Sequence, residues 1–188
     1  MLFFGAKSRT ESECDAALAE IAGGNKDKLE VIYNAYARII ISAAYQIVQN
    51  REDSEDVLQD VMLKIVSRAS SYVPGTSPRA WVIAIARNTA LDKFRSRHGN
   101  VSLDEFTDSA LPEQLKYEDS EEKRLLGDAL RHLTHEERLI INLKLHSGMK
   151  YKEISAALDM TPAAAQKKYE RAIKKLRGYF EEKEDDDL

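Results

Sequence analysis

YKEISAALDMTPAAAQKKYERAIKKLRGYF, Tyr151 to Phe180, has the pattern of a short helix, a tight turn and a second helix rich in positive charge. Ile154, Ala157 and Leu158 fall at i, i+3 and i+4, so one face of the first helix is apolar. Asp159 tolerates the left-handed backbone that a helix end usually takes from Gly or Asn. Thr161 is a good N-cap, and Pro162 stands at the first helical position, where a missing N–H costs nothing. Beyond it Ala165, Tyr169, Ala172 and Leu176 make a stripe for burial, leaving Ala163, Gln166, Lys167, Glu170, Arg171 and Lys174 facing outward. Lys167, Lys168, Arg171, Lys174, Lys175 and Arg177 stand against Glu170 alone. That charge suits a helix whose tip enters a DNA major groove while its flank lies along phosphates. A helical hairpin with a solvated basic face is the plainer alternative.

The rest of the chain frames this unit. Its 188 residues can hold one domain or two small ones, and 8 Gly with 4 Pro favour helices. A net charge of −4 does not advertise nucleic-acid binding, but the charge comes in blocks. Cys14, the single cysteine, excludes an internal disulfide and a cysteine-based zinc site, as expected in a reducing cytoplasm. The opening MLFF is too short for a signal-peptide core, and no apolar run is expected to approach a membrane span. These features predict a soluble, cytoplasmic protein.

Residues 1–11 look like a loose extension, followed by a short helix near Asp15–Ala22 that Gly23-Gly24-Asn25 ends. A long helix is predicted from about Asp27 to Val48, burying Leu29, Ile32, Tyr36, Ile40, Ala43 and Ile47. Asp53 can cap the next, whose stripe is Val57, Leu58, Val61 and Ile65. After a loop, Ser77 and Pro78 repeat the cap-plus-proline start and open a helix from about Arg79 to Arg97. From His98 to Glu122 eight acids oppose Lys116 with little periodicity, the signature of a flexible linker. Helices are then predicted near 121–132, 134–147, 150–158 and 162–181, with Thr134 and Glu137 forming a capping box and Gly148 a stop. The tail EEKEDDDL is acidic.

In the helix Arg79–Arg97, Trp81 and Ile85 are core candidates, while Asn88 falls among apolar neighbours where a buried amide needs partners. Beside Arg87 and Arg95, Asn88 can instead contact a base, and Tyr72 in the preceding loop can stack on one. Glu52, Asp53, Glu55, Asp56 and Asp60 crowd the preceding helix. They can solvate its N-terminus, form a docking face with Gln59, or hold a divalent cation. A metal-dependent hydrolase would use the last option, yet no nucleophile or phosphate loop accompanies the carboxylates.

Two motifs in order are more specific than either alone. DSEDVLQDVMLKI followed by SPRAWVIAIARNTALDKFRSR resembles regions 2.2 to 2.4 of bacterial RNA polymerase sigma factors of the sigma-70 family, and YKEISAALDMTPAAAQKKYERAIKKLR resembles region 4.2. Their close spacing resembles the extracytoplasmic-function (ECF) group, over roughly residues 15–97 and 121–178. The resemblance implies an all-α chain: a region 2-like unit at 1–97, an acidic flexible linker at 98–120, a region 4-like helix-turn-helix unit at 121–180 and an acidic tail at 181–188. By position, Glu55, Asp56, Gln59 and Asp60 match the segment that docks on the β′ clamp helices of core polymerase. Tyr72, Arg79, Trp81, Arg87, Asn88 and Arg95 match the minus-ten DNA-binding face, Tyr72 and Asn88 lying near the pocket for a flipped base. Thr161, Pro162, Ala163, Gln166, Lys167, Lys168 and Arg171 match the minus-thirty-five reader, Gln166 suiting an adenine edge and Lys167 a guanine or phosphate.

The implied partners are core RNA polymerase, through its β′ clamp helices and β flap, promoter DNA and an anti-sigma factor. No cofactor, catalytic residue or metal ligand is implied, so the protein is no enzyme itself and inserts into no membrane. Departures from the family are Asp159 in place of the common turn glycine, the bland Ala163-Ala164-Ala165, and the tail, which can compete with DNA for the basic face. A stand-alone helix-turn-helix regulator is the alternative.

Overall fold

In a computed structural model of the chain, residues 3–99 and 121–186 are described, and every regular element among them is helical. The first helix, α1, spans Phe3–Ala22, so the expected loose extension is helical from Phe3 onward. Cys14, Ala17, Leu18 and Ile21, at i, i+3, i+4 and i+7, are buried and anchor it. A 3₁₀ turn at Lys26–Lys28 leads into α2, Leu29–Val48. Ile32, Tyr36, Ile40, Ala43, Ala44 and Ile47 are buried along α2, as the periodicity predicts, with Leu29 partly buried. Lys26–Val48 is long and apolar enough, at a mean hydropathy of 1.2, to cross a membrane by length and composition, against the expectation that no run approaches that length. Here the apolar side of α2 packs on α1, α3 and α4.

Helix α3, Arg51–Arg68, is capped by Asn50, whose side chain accepts the Asp53 N–H at 3.0 Å. The cap expected at Asp53 therefore lies three residues earlier, because Asp53 is needed inside: it is 4% exposed and ion-paired to Arg97, with Lys93 at 3.7 Å. Val57, Leu58, Val61 and Ile65 are buried as predicted. Helix α4, Pro78–His98, starts as its sequence dictates, with the Ser77 hydroxyl accepting the Ala80 N–H at 3.2 Å. Val82, Ile83, Ile85, Ala86, Ala90 and Phe94 bury its inner face.

The expected linker, 98–120, lies outside the described residues apart from His98 and Gly99, which close α4. The second unit comprises α5, Glu121–Arg131, and α6, His135–Ile141, followed by a π-helical turn at Asn142–His146. It continues with α7, Tyr151–Leu158, and α8, Pro162–Asp186. The capping box forms: the Thr134 hydroxyl accepts the Glu137 N–H at 3.2 Å, and Glu137 accepts the Thr134 N–H at 2.9 Å. The backbone of residues 181–186, the described part of the acidic tail, continues α8 as far as Asp186, rising about 1.5 Å per residue. The two units are not separate cores, since Met149, Ile154, Ala157, Leu158 and Ala165 join one buried cluster with Ile83, Ile85 and Ile40. Fully buried Ile83 and Ile154 each contribute about 2 kcal/mol by transfer from water.

Candidate nucleic-acid interface

The turn between α7 and α8 is set by local chemistry. Asp159 adopts φ 54°, ψ 53°, and the Met160 N–H closes on the Ser155 carbonyl at 3.0 Å. The Thr161 hydroxyl accepts the Ala164 N–H at 3.1 Å, fixing the first turn of α8. Ala165 and Ala172 are fully buried, and Tyr169 meets Tyr151 edge-on at 6.0 Å. These contacts fix the rotation of α8, so Thr161, Pro162, Ala163, Gln166, Lys167, Glu170, Arg171 and Lys174 are all exposed. Gln166 donates to Glu170 at 2.8 Å, which holds its amide along the exposed face.

Lys168 does not join that face. It pairs with Glu136 of α6, while Lys175 pairs with Glu137 at 2.8 Å. Burial raises the Glu137 carboxyl, but Lys175 and the Thr134 N–H outweigh it and hold it below its usual range. Two of the six cations in the sequence motif thus bind α8 to the acidic first turn of α6, and the outward set is Gln166 with the cations Lys167, Arg171, Lys174 and Arg177.

The first unit presents a more engaged surface. Tyr72 is 6% exposed rather than offered for stacking; its hydroxyl bonds Asp15 of α1 and donates to the Thr76 carbonyl at 3.2 Å. Burial first, and Asp15 second, push its phenol above the usual range. Asp15 also accepts the Gly75 N–H at 2.8 Å, where Gly75 takes φ +82°, so one carboxylate pins the whole loop. Trp81 packs edge-on to Tyr72 at 5.5 Å and against the core. The exposed apolar residue of the loop is Val73, at 62%.

Asn88 is exposed rather than buried, with the Arg87 guanidinium 3.4 Å from its amide oxygen. The polar residue facing inward is its neighbour Thr89, which donates to the Ile85 carbonyl at 2.8 Å and accepts from Lys64 at 3.0 Å. Arg95 is exposed, near Asp92 at 3.8 Å. Arg79 is largely buried and bonded to the second unit.

Along α3, Glu55, Asp56, Gln59 and Asp60 all face solvent. Leu63, four residues past Gln59, is 69% exposed on the same face. Sequence reasoning passed over it, although its place outside the buried stripe was a signal. Asp53 and Asp56 do not converge on a cation site, since Lys93 bonds Asp56 at 2.8 Å and Arg97 holds Asp53.

A helix-turn-helix with a polar, cationic outer face, joined to a bundle with an acidic helix and a second basic helix, defines a two-unit DNA-binding protein. Residues 32–99 match the family described as Sigma-70 region 2, and residues 123–176 match Sigma-70, region 4. The RNA polymerase sigma factor CarQ of Myxococcus xanthus is 30% identical over 156 residues, covering 82% of this chain and 90% of that protein. The ECF RNA polymerase sigma factor SigX of Bacillus subtilis is 24% identical, over 83% of this chain and 85% of its own. Among solved structures, CnrH in complex with the cytosolic domain of CnrY shares the fold with a TM-score of 0.69 at 22% identity, covering 90% of this chain and 97% of that one. RpoE with the anti-sigma factor NepR from Bartonella quintana gives 0.58 at 20% identity, over 77% and 91%. The chain belongs to the sigma-70 family of RNA polymerase sigma factors, in its ECF group. Proteins of this family bind core polymerase and direct transcription initiation at promoters, so the stand-alone regulator is not favoured.

Proposed function

We propose that this sigma factor divides promoter recognition between its units. Residues 1–97 dock on core polymerase and capture the melted minus-ten strand, residues 121–180 read the minus-thirty-five duplex, and residues 98–120 connect them. The observation that carries this reading is the outward face of α8, where Gln166, Lys167 and Arg171 are exposed and aligned by the Asp159–Thr161 turn. Gln166 suits an adenine edge, and Lys167 and Arg171 suit guanine or phosphate. The face of α3 with Glu55, Asp56, Gln59, Asp60 and Leu63 serves the β′ clamp helices, and Asn88 beside Arg87 serves the unpaired strand. Capture of exposed bases offsets unstacking costs of about a few kcal/mol per base, so opening needs binding and no chemistry in this chain. Nucleotide addition stays with the polymerase, and the protein works in the cytoplasm.

CnrH and RpoE were solved with the CnrY cytosolic domain and with the anti-sigma factor NepR, respectively, and an anti-sigma protein is the regulator we expect here. Transcription with core RNA polymerase on genomic fragments should give defined start sites. Failure of the chain to associate with core polymerase at any ionic strength overturns the proposal.

A further inference from the structure

Helix α1 reaches the loop between α3 and α4 through two acids that lie four residues apart and so share a helix face. Asp15 Oδ1 accepts the Tyr72 hydroxyl and, at 2.8 Å, the Gly75 N–H, so one oxygen serves two donors from the loop. Glu11 accepts the Tyr36 hydroxyl at 3.2 Å and lies 3.5 Å from the Arg79 Nε at the start of α4. Cys14, Ala17 and Leu18 are buried beneath this face, so the two carboxylates stand on an anchored element. Within the loop the Thr76 N–H closes on the Val73 carbonyl at 3.2 Å, and the Thr76 hydroxyl donates to the same carbonyl at 2.7 Å. Pro74 and Gly75, the latter at φ +82°, fill the middle of this turn as a type II geometry requires. Val73, Pro74, Gly75 and Thr76 are all exposed, so hydrogen bonds rather than packing set the shape of the turn.

We propose that Asp15 is a positioning residue for strand capture. Its carboxylate holds the Tyr72–Thr76 loop in the shape that meets an unpaired promoter base, acting through the loop rather than on DNA. The inference rests on the first unit being the strand-capturing one. A loop ordered beforehand keeps its binding energy for the base, whereas a free loop loses conformational entropy at the moment of capture. An ionised carboxylate is an acceptor only, and its hydrogen bonds are stronger than those of a neutral group, which suits it to pin an exposed turn. By drawing the Tyr72 phenol inward, Asp15 also leaves Val73, Pro74 and Thr76 as the outer face of the loop. Trp81, the single tryptophan of the chain, meets Tyr72 edge-on at 5.5 Å and therefore reports the state of the loop.

The test compares full-length Asp15→Ala, Asp15→Asn, Gly75→Ala and Ile21→Val with the parent chain, each bound to core RNA polymerase on a genomic fragment that the parent transcribes. Asp15→Ala should leave the initial, reversible promoter-binding constant unchanged and slow isomerisation to the polyanion-resistant open complex about tenfold. In the free chain acrylamide should quench Trp81 more strongly, because Tyr72 no longer stays against it. Asp15→Asn keeps Oδ1 for both donors and should restore the opening rate to within about threefold of the parent. An alanine side chain at Gly75 meets nothing within 4 Å but must adopt φ +82°, so Gly75→Ala should slow opening in the same step. Ile21→Val loosens the buried side of α1 six residues beyond Asp15 and should open promoters at the parent rate. The proposal is overturned by an Asp15→Ala chain that opens promoters as fast as the parent or faster, by Asp15→Asn as slow as Asp15→Ala, or by Ile21→Val as slow as either. A parent chain that binds core polymerase yet yields no open complex on any fragment removes the strand-capturing role and the proposal with it. That failure is told apart from a failure of the loop contact, since Trp81 quenching is read without polymerase or DNA.

Discussion

Helices α4 and α8 are both basic, but their cations point in different directions. In α4, Arg79, Lys93 and Arg97 turn to Glu153, Asp56 and Asp53 on neighbouring helices. In α8, Lys167, Arg171 and Lys174 stand exposed. A count of charges along a helix therefore does not reveal a binding face; the partners of each charge do. Substitutions in the pairs that join α4 to Asp53 and Asp56 should register as stability, and those on the outer face of α8 as affinity.

The sharpest way to break this contrast is Asp53→Ala, which strips a buried carboxylate from Arg97 and Lys93 at the junction of α3 and α4. It should lower stability by about 3 kcal/mol in urea unfolding. An unchanged midpoint would mean that these cations are not structural.

Next in size is the response to acid at the seam between the units. Burial, and then Arg138, push His135 down to about 4, so it is neutral in the folded chain. Because the unfolded chain binds this proton near pH 6.5, stability falls as pH drops from there toward 4, by on the order of 2 kcal/mol. Gln49 and Arg138 face the ring; of the carboxylates nearby, Glu137 and Glu153 are held below their usual range, while burial raises Glu11. The difference between the parent chain and His135→Gln, unfolded at pH 7, 5 and 4, isolates the histidine; parallel losses in both would remove it from the account.

On α8, Lys167→Ala should leave the unfolding midpoint unchanged while weakening duplex affinity by about 1 kcal/mol and reducing the salt slope by about one unit. A shifted midpoint would show that its charge works inside the fold. The smallest stability effect belongs to Asn88→Ala, which should stay within about 0.5 kcal/mol because the side chain is exposed. Its effect should appear instead as slower open-complex formation, and normal yields would take Asn88 out of the strand-capturing face.

Features carried by adjacent residues were legible in the sequence. The left-handed Asp159, the Thr161 and Ser77 caps, the Thr134–Glu137 box and the stripe Val57, Leu58, Val61, Ile65 all depend on neighbours within a turn. What escaped depends on tertiary partners. Asn50 caps α3 because Asp53 is claimed by Arg97, forty-four residues away. Tyr72 turns inward because Asp15, fifty-seven residues earlier, accepts its hydroxyl. Lys168 leaves the outer face for Glu136, and Arg79 leaves it for Glu153. Periodicity assigns a side to each residue; it cannot say which ion across the fold will claim a long, flexible side chain.

Helix α8 runs from Pro162 to Asp186, with six cations between Lys167 and Arg177 and five acids against Lys183 alone between Glu181 and Asp186. Such a rod is polarised along its length. An approaching duplex is drawn to one end and repelled by the other, a torque that orients the molecule before any base is touched. That alignment operates over a screening distance of about 8 Å at physiological salt, so it governs the rate of productive encounter more than the tightness of the final grip.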